Sequence, residues 1–279
     1  MRISVHVATL SLIACMLAAG PAWAQSGSIS RNSEAATGET YHVEVAGTLW
    51  NPSPDVVISS ESLGILGSQV DFVNTLGIER SMFKQLKIAL RPARKHKFRF
   101  EFTPINYTAQ TKLQTTFVFN GQRYSVGVPV TTALKWNAYN FGYEWDFVYR
   151  NRGFAGVIGE LKYTDVTATL SSSVAGARGV EYTHARAPIP AIGGIGRVYV
   201  VPNISITGKF TMFRLPEAAL DSTDYGGSYY DFDLYGTINF NNYVGAQVGY
   251  RSMDVFYKVR LDNGTMNLRG LYFGGVVRY

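Results

Sequence analysis

Residues 269–279 read RGLYFGGVVRY and end the chain. Counting back from Tyr279, every second residue is apolar or small: Val277, Gly275, Phe273 and Leu271. The other parity holds Arg278, Val276, Gly274 and Tyr272. Successive side chains of a β-strand point to opposite faces, so a period of two assigns these sets to two sides of one sheet. A strand with one face on lipid and the other on a barrel lumen has this pattern.

The same period recurs upstream. Residues 41–50, 83–90, 97–107, 132–148, 154–170, 190–201, 204–215, 228–240, 244–257 and 266–279 form ten candidate strands. The segment 132–148 alternates most clearly, with Tyr139, Phe141, Tyr143, Trp145 and Phe147 on one face. Asn140, Gly142, Glu144 and Asp146 occupy its other face. Phe117–Phe119 and Tyr124–Val126 flank Asn120-Gly121, a pair suited to a type I′ hairpin turn. Val70–Val73, inside the long connection 51–81, reads as a short strand or as loop. Ten is an even count, as bacterial single-chain barrels have. Eight strands follow if the first two fail, and twelve if the Asn120-Gly121 hairpin reaches the membrane.

A terminal aromatic on such a strand resembles the C-terminal signal of bacterial outer-membrane β-barrel proteins, which their insertion machinery reads. Leu271, Phe273, Val277 and Tyr279 carry that resemblance. The general pattern is similar to the OmpA- and OmpW-like small barrels. The fold class expected is therefore all-β, a closed antiparallel transmembrane β-barrel over residues 41–279. The resemblance implies an outer-membrane location with both termini periplasmic. It also implies contact with outer-membrane lipids, lipopolysaccharide and the barrel-insertion machinery.

The N-terminus fits export. Arg2, the apolar run from Val7 to Leu17 and Ala22-Trp23-Ala24 read as a signal peptide over residues 1–24. Leu12-Ile13-Ala14-Cys15 also resembles a lipoprotein box. Cys15 is the single cysteine, so cleavage after Ala24 removes every thiol and with it disulfides and thiolate metal sites. Residues 25–40 are polar and small, which predicts a disordered periplasmic lead-in. Past residue 24 no run of eighteen apolar residues occurs, which excludes a helical membrane protein but not a barrel. The chain has 18 Tyr and 16 Phe, in keeping with aromatic girdles. Its formal charge of +6 is dispersed, which disfavours nucleic acid as a partner.

If the aromatic parity meets lipid, the opposite parity lines the lumen. It collects Lys87, Arg91, Arg99, Glu101, Glu144, Asp146, Glu160, Lys162, Arg197, Lys209, Asp231, Asp233, Arg251 and Arg278. A charge on the lipid face near the midplane costs ~2–4 kcal/mol, so a consistent charged face belongs away from lipid. Two readings stay open. In one, side chains fill a narrow barrel and opposite charges pair across it. Glu144→Ala or Glu160→Ala would then lower stability. In the other, the charges select small polar solutes passing through a pore, and the same changes would alter ion preference.

No metal motif or cofactor signature occurs. Omptin proteases resemble this architecture but carry an Asp-x-His dyad; here Asp231-Phe232-Asp233 has no histidine nearby in sequence. Outer-membrane lipid A deacylases carry His-x-Ser, which His42, His96 and His184 do not match. Asp221 and Asp224 form an acidic loop open to divalent cations bridging lipopolysaccharide. Arg91, Arg94, Lys95 and Lys97 read as an interfacial anchor at the periplasmic rim. Pro188-Ile189-Pro190 withholds ladder donors, so either the strand starts at Ala191 or the wall opens there. The leading expectation is a structural barrel or one passing small polar solutes through a narrow charged lumen. The alternatives are a barrel enzyme acting on lipid A or peptides, and a lateral conduit for hydrophobic molecules.

Overall fold

The structure, a computed structural model, describes residues 35–59, 68–119, 121–172, 181–215, 225–259 and 262–279. The expected signal peptide over residues 1–24 with Cys15, the first part of the expected lead-in, Asn120 and the stretch 221–224 lie outside the described residues. The strands are β1 (Val43–Ser59), β2 (Val70–Asp71), β3 (Phe83–Ala93), β4 (His96–Lys112), β5 (Phe117–Phe119), β6 (Gln122–Tyr124) and β7 (Pro129–Arg150). They continue as β8 (Gly153–Ser172), β9 (Glu181–Val201), β10 (Ile204–Leu215), β11 (Tyr225–Asn239), β12 (Val244–Val259) and β13 (Asp262–Arg278). Antiparallel neighbours run β13-β12-β11-β10-β9-β8-β7-β4-β3-β1, and β13 pairs back onto β1. Ten strands thus close a barrel. β2 adds two residues beside β1, and β5 and β6 form a separate hairpin.

The barrel has two unlike ends. At one, tight turns join β3 to β4, β7 to β8, β9 to β10 and β11 to β12. The other carries the longer connections, together with the two-residue link from β12 to β13. Near the short-turn end the outward face is apolar: Phe98, Phe141, Trp145, Leu161, Val198, Phe232, Phe273 and Val277 are all exposed. Farther up, that outward face turns polar, with Lys84, Asn106, Lys135, Arg186, Arg214 and Arg269 exposed. β7 has 22 residues, about 70 Å along the strand. Even tilted, it stands well above an apolar band ~25 Å tall.

The inward face inverts in step. On β4 it runs Lys97, Glu101, Thr103 and then Ile105 and Tyr107, all buried. On β7, counted towards the long loops, it runs Asp146, Glu144, Asn140 and then Trp136 and Leu134. In the belt the barrel is polar inside and apolar outside. Above it, it is built like a soluble protein, apolar inside and polar outside.

The connection 51–81 is not a free loop. β1 extends to Ser59, past the expected Trp50, because β13 pairs along its whole length from Glu44↔Arg278 to Ser59↔Asn263. β3 pairs only Val43–Trp50 of β1, which leaves the wall short beside β4. The chain folds back into that space and buries Val70, Phe72, Leu76 and Ile78. Asp71 Oδ1 fixes the turn by accepting from the backbone N of Val73 at 2.9 Å and of Asn74 at 2.8 Å. The β5–β6 hairpin does not extend the wall, so it adds no spanning strands. It packs Phe117, Phe119 and Tyr124 into the same apolar cluster and ties to the fold-back through Ser68 N donating to Val118 O at 2.9 Å.

The lead-in departs from expectation over residues 35–40. They are ordered, with Ala36 and Glu39 buried. Ala36 N donates to Asn151 O and Thr37 N to Pro202 O, both in short turns, and Gly38 N donates to Asn242 Oδ1. Polar composition predicts disorder only where no partner waits. Here Arg91 and Arg197 hold Glu39 inside the short-turn end.

One glycine is decided by close approach. The β7–β8 register shifts between Trp145 and Val148, and Gly156 lies opposite this bulge. A Cβ on Gly156 would stand 2.6 Å from Asp146 Oδ1 and 2.8 Å from the Trp145 carbonyl oxygen.

Candidate functional site

The expected lumen charges come together inside the belt. Lys162 Nζ pairs with Glu160 Oε2 at 2.7 Å and with Asp231 Oδ2 at 2.8 Å. Asp231 pairs with Arg251 Nη2 at 2.8 Å, and Arg251 Nη2 reaches Glu101 Oε2 at 3.2 Å. Glu101 Oε1 pairs with Lys209 Nζ at 2.5 Å, and Lys209 returns to Glu160 Oε1 at 3.1 Å. These six residues form a closed ring in which cations and anions alternate. They come from β4, β8, β10, β11 and β12, so the ring crosses the lumen rather than lining it.

Two smaller groups flank the ring. Lys87 Nζ pairs with Asp233 Oδ2 at 2.6 Å, and Tyr272 Oη donates to Asp233 Oδ1 at 2.6 Å. Glu144 accepts from Arg99 and from Lys97, the latter at 2.6 Å, and Lys97 also pairs with Asp146 at 2.8 Å. At the short-turn end Glu44 binds Arg278 at 2.5 Å and Arg197 at 3.6 Å. Side chains leave a gap of about 20 Å³ among Glu44, Lys87, Arg99, Glu101 and Tyr235, room for about one water.

Two residues of the expected basic anchor belong to this interior. Lys97 is fully buried, with its Nζ 3.3 Å from the centroid of the Phe154 ring. Arg91 is buried too and donates to the Glu39 carbonyl at 2.6 Å. Parity explains the correction: Lys97, Arg99 and Glu101 share one face of β4. Arg94 stays outside, near the Tyr149 ring.

Above the ring the lumen is apolar, which the expectation of a narrow charged lumen did not include. Trp50, Leu134, Trp136, Ile105, Tyr107, Tyr229, Met253, Met266 and Leu268 meet the fold-back and the hairpin in one buried cluster. The signal was present in the switch of the inward parity from charged to apolar along strands such as β4 and β7.

Among the described residues the wall is also incomplete between β9 and β10. β9 pairs with β8 from Glu181↔Leu170 to Val198↔Gly153. Its pairing with β10 ends at Ile192↔Met212. Expected to start at Pro190 or Ala191, β9 instead continues through both prolines, held there by β8 alone among the described residues. Pro188 and Pro190 share a parity and withhold donors on the same side of the strand. β10 meanwhile runs on to Leu215, paired only with β11 among the described residues. Behind this opening lies a cavity of about 490 Å³. Inward Ile189 and outward Pro188 both line it, so it passes through the wall.

Of the expected histidines, His42 and His96 sit at the short-turn end. His96 Nδ1 lies 2.6 Å from Tyr143 Oη. The side chain of His184 lies outside the described residues.

The chain is an outer-membrane-type β-barrel. Its closed ten-stranded wall and inverted belt decide that, and the first of the solved structures it resembles agrees in fold. The chain is similar to the outer membrane protease OmpT from Escherichia coli, at 10% identity and a TM-score of 0.57, over 90% of this chain and 100% of that one. It is also similar to Ail of Yersinia pestis, at 11% identity and a TM-score of 0.38, over 84% of this chain and 99% of that one. The translocator domain of NalP from Neisseria meningitidis matches at 10% identity and 0.39, over 86% and 89%. No family model matches the sequence, and no curated protein does. At 10% identity the likeness to OmpT concerns the fold alone.

In this outer-membrane-type barrel the residues read as the insertion signal form part of the belt. Leu271, Phe273, Val277 and Tyr279 are all exposed on the outward face of β13. Tyr279 also closes the seam: its N donates to Val43 O, and its O accepts from His42 N and Val43 N. Phe273→Arg is expected to cost ~2–4 kcal/mol, measured by urea unfolding of the protein refolded in lipid vesicles. A change below about 0.5 kcal/mol would contradict a lipid-facing Phe273.

Proposed function

We propose that the protein is a structural outer-membrane barrel, sealed to solutes, whose loop half projects from the cell surface. The short-turn end and both termini face the periplasm. The belt contacts outer-membrane lipids and lipopolysaccharide, and the C-terminal strand is the segment read by the barrel-insertion machinery. The observation that carries the reading is the crossing ring of Lys162, Glu160, Lys209, Glu101, Arg251 and Asp231. A conducting lumen needs a water-filled path lined by charges. Here opposite charges satisfy one another across the lumen, and an apolar plug lies above them.

Single-channel recording of the refolded protein in a planar bilayer tests this. The expected result is a silent bilayer, with heat-modifiable gel migration showing that the barrel has folded. Stable, ion-selective steps would overturn the reading and restore passage of small polar solutes through the charged lumen.

A further inference from the structure

We infer that the cavity behind the opening between β9 and β10 binds a neutral, mainly apolar molecule carrying one hydrogen-bond acceptor, which enters sideways from the membrane. Four observations converge on this site.

The first is position. Pro190 stands opposite Leu161, which is exposed in the apolar belt. Pro188 stands opposite Tyr163, and Arg186 opposite Asp165, where the outward face has turned polar. The opening therefore begins at the upper edge of the belt, where an apolar solute concentrates. The second is persistence. Two prolines of one parity cannot donate to a partner strand, so β9 cannot zip onto β10 by its ordinary ladder.

The third is size and lining. A volume of about 490 Å³ falls within the range of small-molecule pockets, about 300–1,000 Å³. Val166, Ile189, Phe213, Val255 and Met266 supply an apolar wall. The fourth sets the polar requirement. Trp136 lines the same cavity, and its buried indole Nε1–H has no hydrogen-bond partner. A buried donor left unpaired is unfavourable, and a ligand oxygen would satisfy it. Arg186, the cation at the mouth, is held by Asp165 at 3.2 Å, so the site does not call for an anionic headgroup.

Two near-isosteric probes test both halves of the inference: 2-acetylnaphthalene, with a carbonyl acceptor, and 2-ethylnaphthalene, without one. Binding is read by equilibrium dialysis against the full chain in lipid nanodiscs, with empty nanodiscs as reference. Saturable binding of one molecule per barrel is expected, with the acetyl compound about fivefold tighter, the factor one hydrogen bond supplies. Trp136→Phe should abolish that preference while leaving the ethyl compound within about twofold. Ala187→Trp, which fills the cavity from the strand edge β10 leaves unpaired, should weaken both at least about tenfold. Heat-modifiable migration of each variant shows that it has folded. Uptake no greater than by empty nanodiscs, or unchanged by Ala187→Trp in a folded barrel, would overturn the site. Equal affinity for the two probes would overturn the acceptor requirement and assign the indole N–H to water.

Discussion

Asp231→Ala is expected to lower the stability of the barrel by about 3–5 kcal/mol, the penalty for leaving buried charges without their partner. Asp231 is fully buried and accepts from Lys162 at 2.8 Å and from both Nε and Nη2 of Arg251, at 3.1 and 2.8 Å. Its removal leaves Lys162 with Glu160 and Arg251 with Glu101. Two cations would then face each other across a lumen that holds little water. The ring couples five strands, so the loss falls on the closed barrel rather than on one hairpin. Urea unfolding in lipid vesicles measures it. Asp254→Ala is the matched control. Asp254 pairs with Arg269 at 2.7 Å, but the two side chains are 30% and 55% exposed. That pair should contribute no more than about 1 kcal/mol. Equal effects at the two sites would mean that the lumen is wetter than its packing implies.

Trp50→Ala is expected to cost about 3–5 kcal/mol for a different reason, the cavity left by a large buried side chain. Trp50 has no exposed surface and stands where the charged lumen meets the apolar plug. Its Nε1 donates to the Gly270 carbonyl at 3.1 Å across the β1–β13 seam. The Arg251 guanidinium lies 5.9 Å from its ring, so the indole also caps the ring of charges. Trp50→Phe keeps most of the volume and loses the seam bond. It should recover all but about 1 kcal/mol of the loss. A cost for Trp50→Ala below about 1 kcal/mol would show that the plug does not contribute to closure.

Much of the fold was legible because lipid and lumen impose a period of two on the chain. Eight of the ten spanning segments were placed within a few residues at both ends, and 204–215 coincided with β10. β1 and β9 ran longer than expected. Their extra residues carry prolines and polar groups, and the ladders of β13 and β8 hold them in strand form nonetheless. Propensity is local, whereas pairing is supplied by a neighbour more than two hundred residues away in the case of β1.

The charged residues themselves were legible from parity. Their partners were not, because Glu101 meets Lys209 and Arg251 only after ten strands have closed. Lys97 shows the limit of reading clusters by proximity in sequence. Grouped with Arg94 and Lys95, it looks like a surface anchor; placed by parity on β4, it belongs to Glu144 and Asp146.

By itself the sequence determined the period, the direction of each face and hence a barrel with an apolar belt, because alternation along a strand is a local property. Tertiary structure alone decided that the charges close into a ring and that residues 68–82 and the β5–β6 hairpin fill the upper lumen. It alone decided, too, that the proline pair opens onto a cavity. Each of these depends on which strands become neighbours around the barrel, and no single strand carries that information.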